Sequence, residues 1–210
     1  MDTYNISLDP RRKTISLNGK IYYAAQNEKA RNWMIKDPEA PPEENKNWYV
    51  MGCSNIYFYT EGEDIGLKIL TRAGRYTERH IYLTAWKNKK LLWLVLNLEQ
   101  INKICSYHYE LSKKDLAPAC FGAVLFQMGE EAFYGLSLEH VHGSSPEQTE
   151  DFPSFKEWRK KLKTAIREQK MGFPVGSCMD TRLANLKYSK DGKKLFYLDI
   201  EYGHLPKELR

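Results

Sequence analysis

The chain has 210 residues, 42% of them apolar, with 14 Tyr and 5 Trp, which suits one domain or a small bilobal unit with a real core and excludes a disordered chain. Net charge is +5; no apolar run reaches the length that spans a bilayer, and the opening Met1-Asp2-Thr3-Tyr4-Asn5 lacks a basic-then-apolar signal pattern. Cys53, Cys105, Cys120 and Cys178 are scattered without a CxxC pair, which argues against a zinc site or disulfide framework and for a cytoplasmic or other reducing compartment.

Residues 1–47 read as an N-terminal extension. Tyr4 to Leu8 and Thr14 to Leu17 alternate like short strands, and Asn18-Gly19 before Ile21-Tyr22-Tyr23 is a hairpin turn signal. Glu28 to Ile35 suits a short helix, and Asp37 to Asn47, with three prolines and three glutamates, suits a loop or linker. Strands are predicted at Trp48 to Met51, Ile56 to Thr60 and Ile65 to Leu70, the last with Lys68 in its middle. Residues 72–88 give no clear pattern. Leu91, Leu94, Val95, Leu98, Ile101 and Cys105 then recur at helical spacing, although Leu91 to Leu96 also suits a strand. Leu116-Ala117-Pro118 ends this region.

Cys120 to Met128 and Ala132 to Val141 read as two strands around a Gly129-Glu130-Glu131 turn. His140 and His142 alternate at the end of the second and suit polar hinge residues better than metal ligands, since no further ligand cluster accompanies them. Ser144 to Pro153 is a polar linker. Ser154 and Glu157 suggest a capping box for a helix whose stripe is Phe155, Trp158, Leu162, Ala165 and Ile166. Met171-Gly172 stops that helix, and Phe173 to Gly176 forms a strand-like step. Between Lys156 and Lys194 stand 12 Lys or Arg against 4 Asp or Glu, a local net of 12 − 4 = +8. A solvated helix face explains this most simply; a surface for phosphate, nucleic acid or an acidic partner is the functional alternative.

The segment from Asp180 to Asp199 carries the chemistry. Asn185 follows Asp180 by five places; a short strand, a Lys190-Asp191-Gly192 turn and a second strand then lead to Asp199. A loop presenting Asp and Asn, followed by a hairpin delivering another Asp, can build a divalent-metal phosphate site. In such a site Asn185 and Asp199 supply oxygens to Mg2+, and Asp180 accepts a proton.

This spacing resembles the catalytic loop and metal-binding Asp of the protein kinase superfamily, H-R-D-x-x-x-x-N followed by D-F-G. The resemblance runs over residues 48 to 203. It implies an α+β, bilobal fold: a small lobe over 48–143 and a truncated second lobe over 144–210. It implies that Gly52 and Ser54 cover ATP, that Lys68 pairs its phosphates, and that Glu99 (or Glu78) pairs Lys68. Glu139 and Val141 would flank the base, Asn185 and Asp199 would hold Mg2+, and Asp180 would orient the acceptor. The sequence departs from the family at Cys178-Met179 in place of His-Arg, at Asp199-Ile200-Glu201 in place of Asp-Phe-Gly, and in retaining only Gly52 of the three loop glycines. Eleven residues follow Asp199, which leaves no activation loop or peptide-docking helices and points to a minimal, atypical or effector-like kinase. The expected activity is transfer of the ATP γ-phosphate to a hydroxyl, with a protein Ser or Thr first. A catalytically weak pseudokinase serving as a protein-binding module is the alternative. An effector role would place it in a host cytosol. Nucleic-acid binding ranks last, because no nucleic-acid motif is visible.

Overall fold

The computed structural model describes residues 1–9, 12, 14–25, 44–51, 55–70, 96–146, 154–172 and 185–210. Its strands are β1 (Thr3–Asp9), β2 (Thr14–Leu17), β3 (Lys20–Ala24), β4 (Asn47–Met51), β5 (Asn55–Thr60), β6 (Ile65–Leu70), β7 (Cys120–Met128) and β8 (Glu131–Glu139). They form a closed barrel in the order β1-β2-β3-β4-β5-β6-β8-β7. Helix α1 (Leu98–Ser112) lies between β6 and β7 in sequence. Helix α2 (Phe155–Glu168), a small β9–β10 hairpin (Leu186–Tyr188 and Leu195–Tyr197) and two 3-10 turns (Tyr202–His204 and Lys207–Leu209) follow the barrel. No helix among the described residues is long and apolar enough to cross a membrane.

Local chemistry explains most of the wall. Asn18 and Gly19 both take positive φ, 49° and 82°, which is the backbone a two-residue turn needs to join β2 and β3 without splaying them. Gly129, at φ 63°, turns β7 into β8. Gly122, at φ 140°, accompanies a register shift at the start of β7, and such an irregularity bends the strand for closure. The ring is closed by two parallel pairings. Tyr23 and Ala24 of β3 meet Trp48 and Tyr49 of β4, and Thr3, Tyr4 and Asn5 of β1 meet Leu125, Phe126 and Gln127 of β7. Closure removes the unpaired edges that an open sheet leaves exposed.

Two apolar cores share the β6–β8 wall. One fills the barrel, where Ile15, Tyr49, Ile56, Phe58, Ile69 and Phe126 are buried together. The other lies outside it, where Leu70, Leu136 and Leu138 meet Ile101 and Ile104 of α1 and Leu162 of α2. The alternation of side chains along a strand produces both: Ile69 points into the barrel and Leu70 away from it.

The bilobal kinase-like fold expected from the sequence is overturned. The chain is mostly β, a closed eight-stranded barrel with two α-helices among the described residues. β1, β2 and β3, read as strands of an extension, are wall strands whose Ile6, Ile15, Leu17 and Tyr22 share the barrel core. Among the described residues no separate helical lobe stands beyond them. Trp158 of α2 lies in the same core cluster as Ile104 of α1 and donates its indole N–H to the Leu195 carbonyl at 2.7 Å. Lys114, just beyond α1, forms an ion pair with Glu168 of α2.

Two local expectations also change. Ser154 precedes α2 but makes no side-chain cap bond. The capping box instead opens α1, where Asn97 and Gln100 exchange backbone-to-side-chain bonds at 2.9 Å. α1 begins at Leu98; residues 91–95, the proposed helix over 28–35 and the step over 173–176 lie outside the described residues.

Candidate functional site

Lys68 stands on β6 opposite Tyr57 of β5 and Leu136 of β8. Strand alternation turns it away from the barrel core, toward the chain that follows β10. There it is buried, with 3% of its surface exposed. Its ammonium donates to the Leu198 carbonyl at 2.9 Å and the Ile200 carbonyl at 3.2 Å. Residues 198–200 therefore wrap the Nζ, with Asp199 between the two accepting groups. Burial pulls the Lys68 pKa below the usual lysine range, and the carboxylates of Asp199 and Glu201 act in the opposite direction.

Asn185 immediately precedes β9. Its side-chain N–H donates to Asp199 Oδ2 at 3.3 Å, and its carbonyl accepts from the Leu198 amide at 2.9 Å. The hairpin thus brings together an amide and a carboxylate 14 residues apart. Glu201 and His204 form a reciprocal cap around the first 3-10 turn, in which the Glu201 amide donates to His204 Nδ1 at 3.1 Å and the Glu201 side chain accepts from the His204 amide. That bond makes His204 Nδ1 an acceptor. His108, on the buried face of α1, sits with its Nδ1 3.1 Å from the Pro118 carbonyl, which fixes the Nδ1–H tautomer. Its buried Nε2 has no hydrogen-bond partner. Burial first and the Lys68 charge second push His108 down to about 3 and His204 down to about 4, so both rings are neutral at neutral pH.

The cluster therefore combines one buried ammonium, two carboxylates and neutral imidazoles, with Asn185 and Asp199 half-buried at its edge. Among the described residues no three His, Cys, Asp or Glu side chains converge as a metal cage. An Asp carboxylate beside an Asn amide suits a metal that keeps most of its water and takes further oxygens from phosphate, which is the habit of Mg2+.

The remaining predicted residues fall elsewhere. Glu99 is exposed in the first turn of α1, and the acids that act on Lys68 are Asp199 and Glu201. Glu139 pins the start of β7: its Oε2 accepts from the Ala119 amide at 3.0 Å, and its own amide donates to the Ala119 carbonyl at 2.9 Å. Val141 is buried just beyond β8. Gly52, Ser54, Glu78 and Asp180 lie outside the described residues. Sequence reasoning missed Glu201, His204 and His108. The signal for His108 was its position, seven places after Ile101 and three before Leu111, which is the buried stripe of α1.

A stack of rings borders Lys68 on the same outer face of the sheet. Tyr57 lies over Gly66, where a Cβ would overlap its hydroxyl. Tyr57 Oη meets His140 Nδ1 at 2.9 Å. The Tyr59 and His140 rings stack at 4.8 Å, and His142 contacts Asp64 at 2.9 Å. Both histidines thus take hydrogen-bonding partners within the sheet and the chain just beyond it. Burial first and the Lys187 charge second push His140 down to about 4. The chain matches no protein-family model and no curated protein, so the kinase resemblance has neither the bilobal fold nor a family match behind it.

Proposed function

We propose that the chain is a phosphotransferase that uses Mg2+-ATP and delivers phosphate to a hydroxyl, with a protein Ser or Thr first among acceptors. The supporting observation is that Lys68 of β6 bonds the carbonyls on either side of Asp199, whose carboxylate accepts from Asn185 across the β9–β10 hairpin and acts electrostatically on Lys68. Phosphoryl transfer needs charge and position more than covalent chemistry. Asn185 and Asp199 would hold the metal, which neutralises charge on phosphate oxygens when bound. Lys68 supplies the cation for the phosphates; doing so requires it to exchange its bonds to Leu198 and Ile200. Asp180 keeps the role read from the sequence, orienting the acceptor hydroxyl.

A second reading rests on those same two bonds. A lysine held by two backbone carbonyls also suits a non-catalytic protein-binding module, in which Lys68 only locks the 198–201 segment against the barrel. Incubation with γ-labelled ATP and Mg2+, with and without a protein lysate, separates the two. The enzyme reading expects label on protein, lost in Lys68→Met and Asp199→Asn. Absence of any labelled product, with ATP left intact, would leave the binding module.

A further inference from the structure

Cys105 and Cys120 are far apart in sequence terms, with no motif spacing, yet the fold joins them. Cys105 lies on α1 and Cys120 opens β7, and their sulfurs are 2.7 Å apart. Both are free thiols and neither is fully buried. Each keeps part of its surface open, so a small reagent can approach from solvent.

The connection between them is held at several points. His108 bonds the Pro118 carbonyl, and the Leu116 amide donates to the Leu111 carbonyl at 3.0 Å. Leu116 and Ala117 are buried, and the Ala119 amide is tied to Glu139. Gly122, with its positive φ, sets the irregular start of β7 that aims Cys120 at the helix. A disulfide has its sulfurs about 2.05 Å apart, so closing the pair needs an approach of only about 0.7 Å.

We propose that Cys105 and Cys120 form a reversible thiol–disulfide site that exchanges with low-molecular-weight disulfides such as oxidised glutathione. The sulfur–sulfur hydrogen bond pushes the Cys120 thiol down and the Cys105 thiol up, which makes Cys120 the attacking group. Its thiolate attacks one sulfur of the glutathione disulfide; that bond breaks, a mixed disulfide forms on Cys120, and one glutathione leaves and takes up a proton. Cys105 then gives its proton to solvent and attacks the Cys120 sulfur, expelling the second glutathione, which is protonated in turn. The protein loses two electrons and two protons, and the oxidised glutathione gains them. The new bond fastens α1 to β7 and closes a ring on the segment that carries His108.

The test treats the folded, unmodified chain with oxidised glutathione, quenches with acid, alkylates the remaining thiols and maps peptides by mass spectrometry. The expected result is a Cys105–Cys120 cross-link with a mass loss of two hydrogens, reversed by dithiothreitol. In Cys105→Ser the reaction should stop at glutathione on Cys120. Circular dichroism establishes that each sample is folded. The proposal is overturned if both thiols of the folded chain remain alkylatable, or if glutathione persists on Cys120 while Cys105 is present.

Discussion

Acidification from pH 7 to pH 5 should weaken the fold, because His108 and His204 are buried and neutral. An unfolded histidine titrates near 6.5, whereas the folded values are about 3 and about 4. Both are depressed, so below pH 6.5 the unfolded chain binds more protons than the native one. The stability tied to these rings is fully present above 6.5 and is lost as pH falls toward the folded values. At pH 5 each ring has lost about 1.36 × 1.5, or roughly 2 kcal/mol, and the pair roughly 4 kcal/mol. That is a large part of the roughly 5–15 kcal/mol that holds a typical domain together. Urea denaturation at half-unit pH steps reads this directly as a falling midpoint; between pH 6 and 5 His108 and His204 contribute about two protons per molecule to the slope, and His140, also depressed to about 4, adds to it. His108→Gln or His204→Gln should each lower the slope by about one proton. An unchanged midpoint from pH 7 to 5, or a slope indifferent to both variants, would refute the buried-neutral assignment.

Gly143→Ala should destabilise by about 1–3 kcal/mol, since its Cβ would overlap the Tyr188 carbonyl oxygen and backbone cannot turn aside; thermal melts check this. Gly66→Ala should displace Tyr57, and NMR titration should then find the His140 midpoint raised from about 4 toward the ordinary value. Asn97→Ala removes one half of the α1 capping box and should cost about 1 kcal/mol in urea unfolding, whereas Ser154→Ala, which removes no cap bond, should be nearly silent.

Local signals carried much of this structure. Asn18-Gly19 marked the β2–β3 hairpin, the Trp158–Leu162–Ala165–Ile166 stripe marked the buried face of α2, and Asn185 and Asp199 were paired by their places around a predicted hairpin. The order of strands and helices was read correctly in large part while the architecture was not. Closure depends on parallel pairing of β1 with β7 and of β3 with β4, and alternation along Tyr4 to Leu8 specifies a face, not a partner. A run of strands around one helix therefore fits an open kinase-like sheet and a closed barrel equally well. The surroundings of Lys68 were hidden for a related reason. Its carbonyl partners are backbone groups 130 and 132 residues away, and no side-chain pattern announces a backbone acceptor. The sequence offers Glu99 or Glu78 as the lysine's acid, and not Glu201, because helix position is legible and the path of the chain after Asp199 is not.

The proposed Mg2+-dependent nucleotide site of Lys68, Asn185 and Asp199 is probed most directly by calorimetric titration of ATP into the wild-type chain and into Asp199→Ala, each with Mg2+ and with chelator. The wild type in Mg2+ should bind ATP saturably, with affinity weakened about tenfold or more both by chelation and by the substitution, in a variant that keeps its circular dichroism spectrum. Wild-type protein that takes up no ATP in Mg2+, or an Asp199→Ala variant with undiminished Mg2+-dependent affinity, would contradict it.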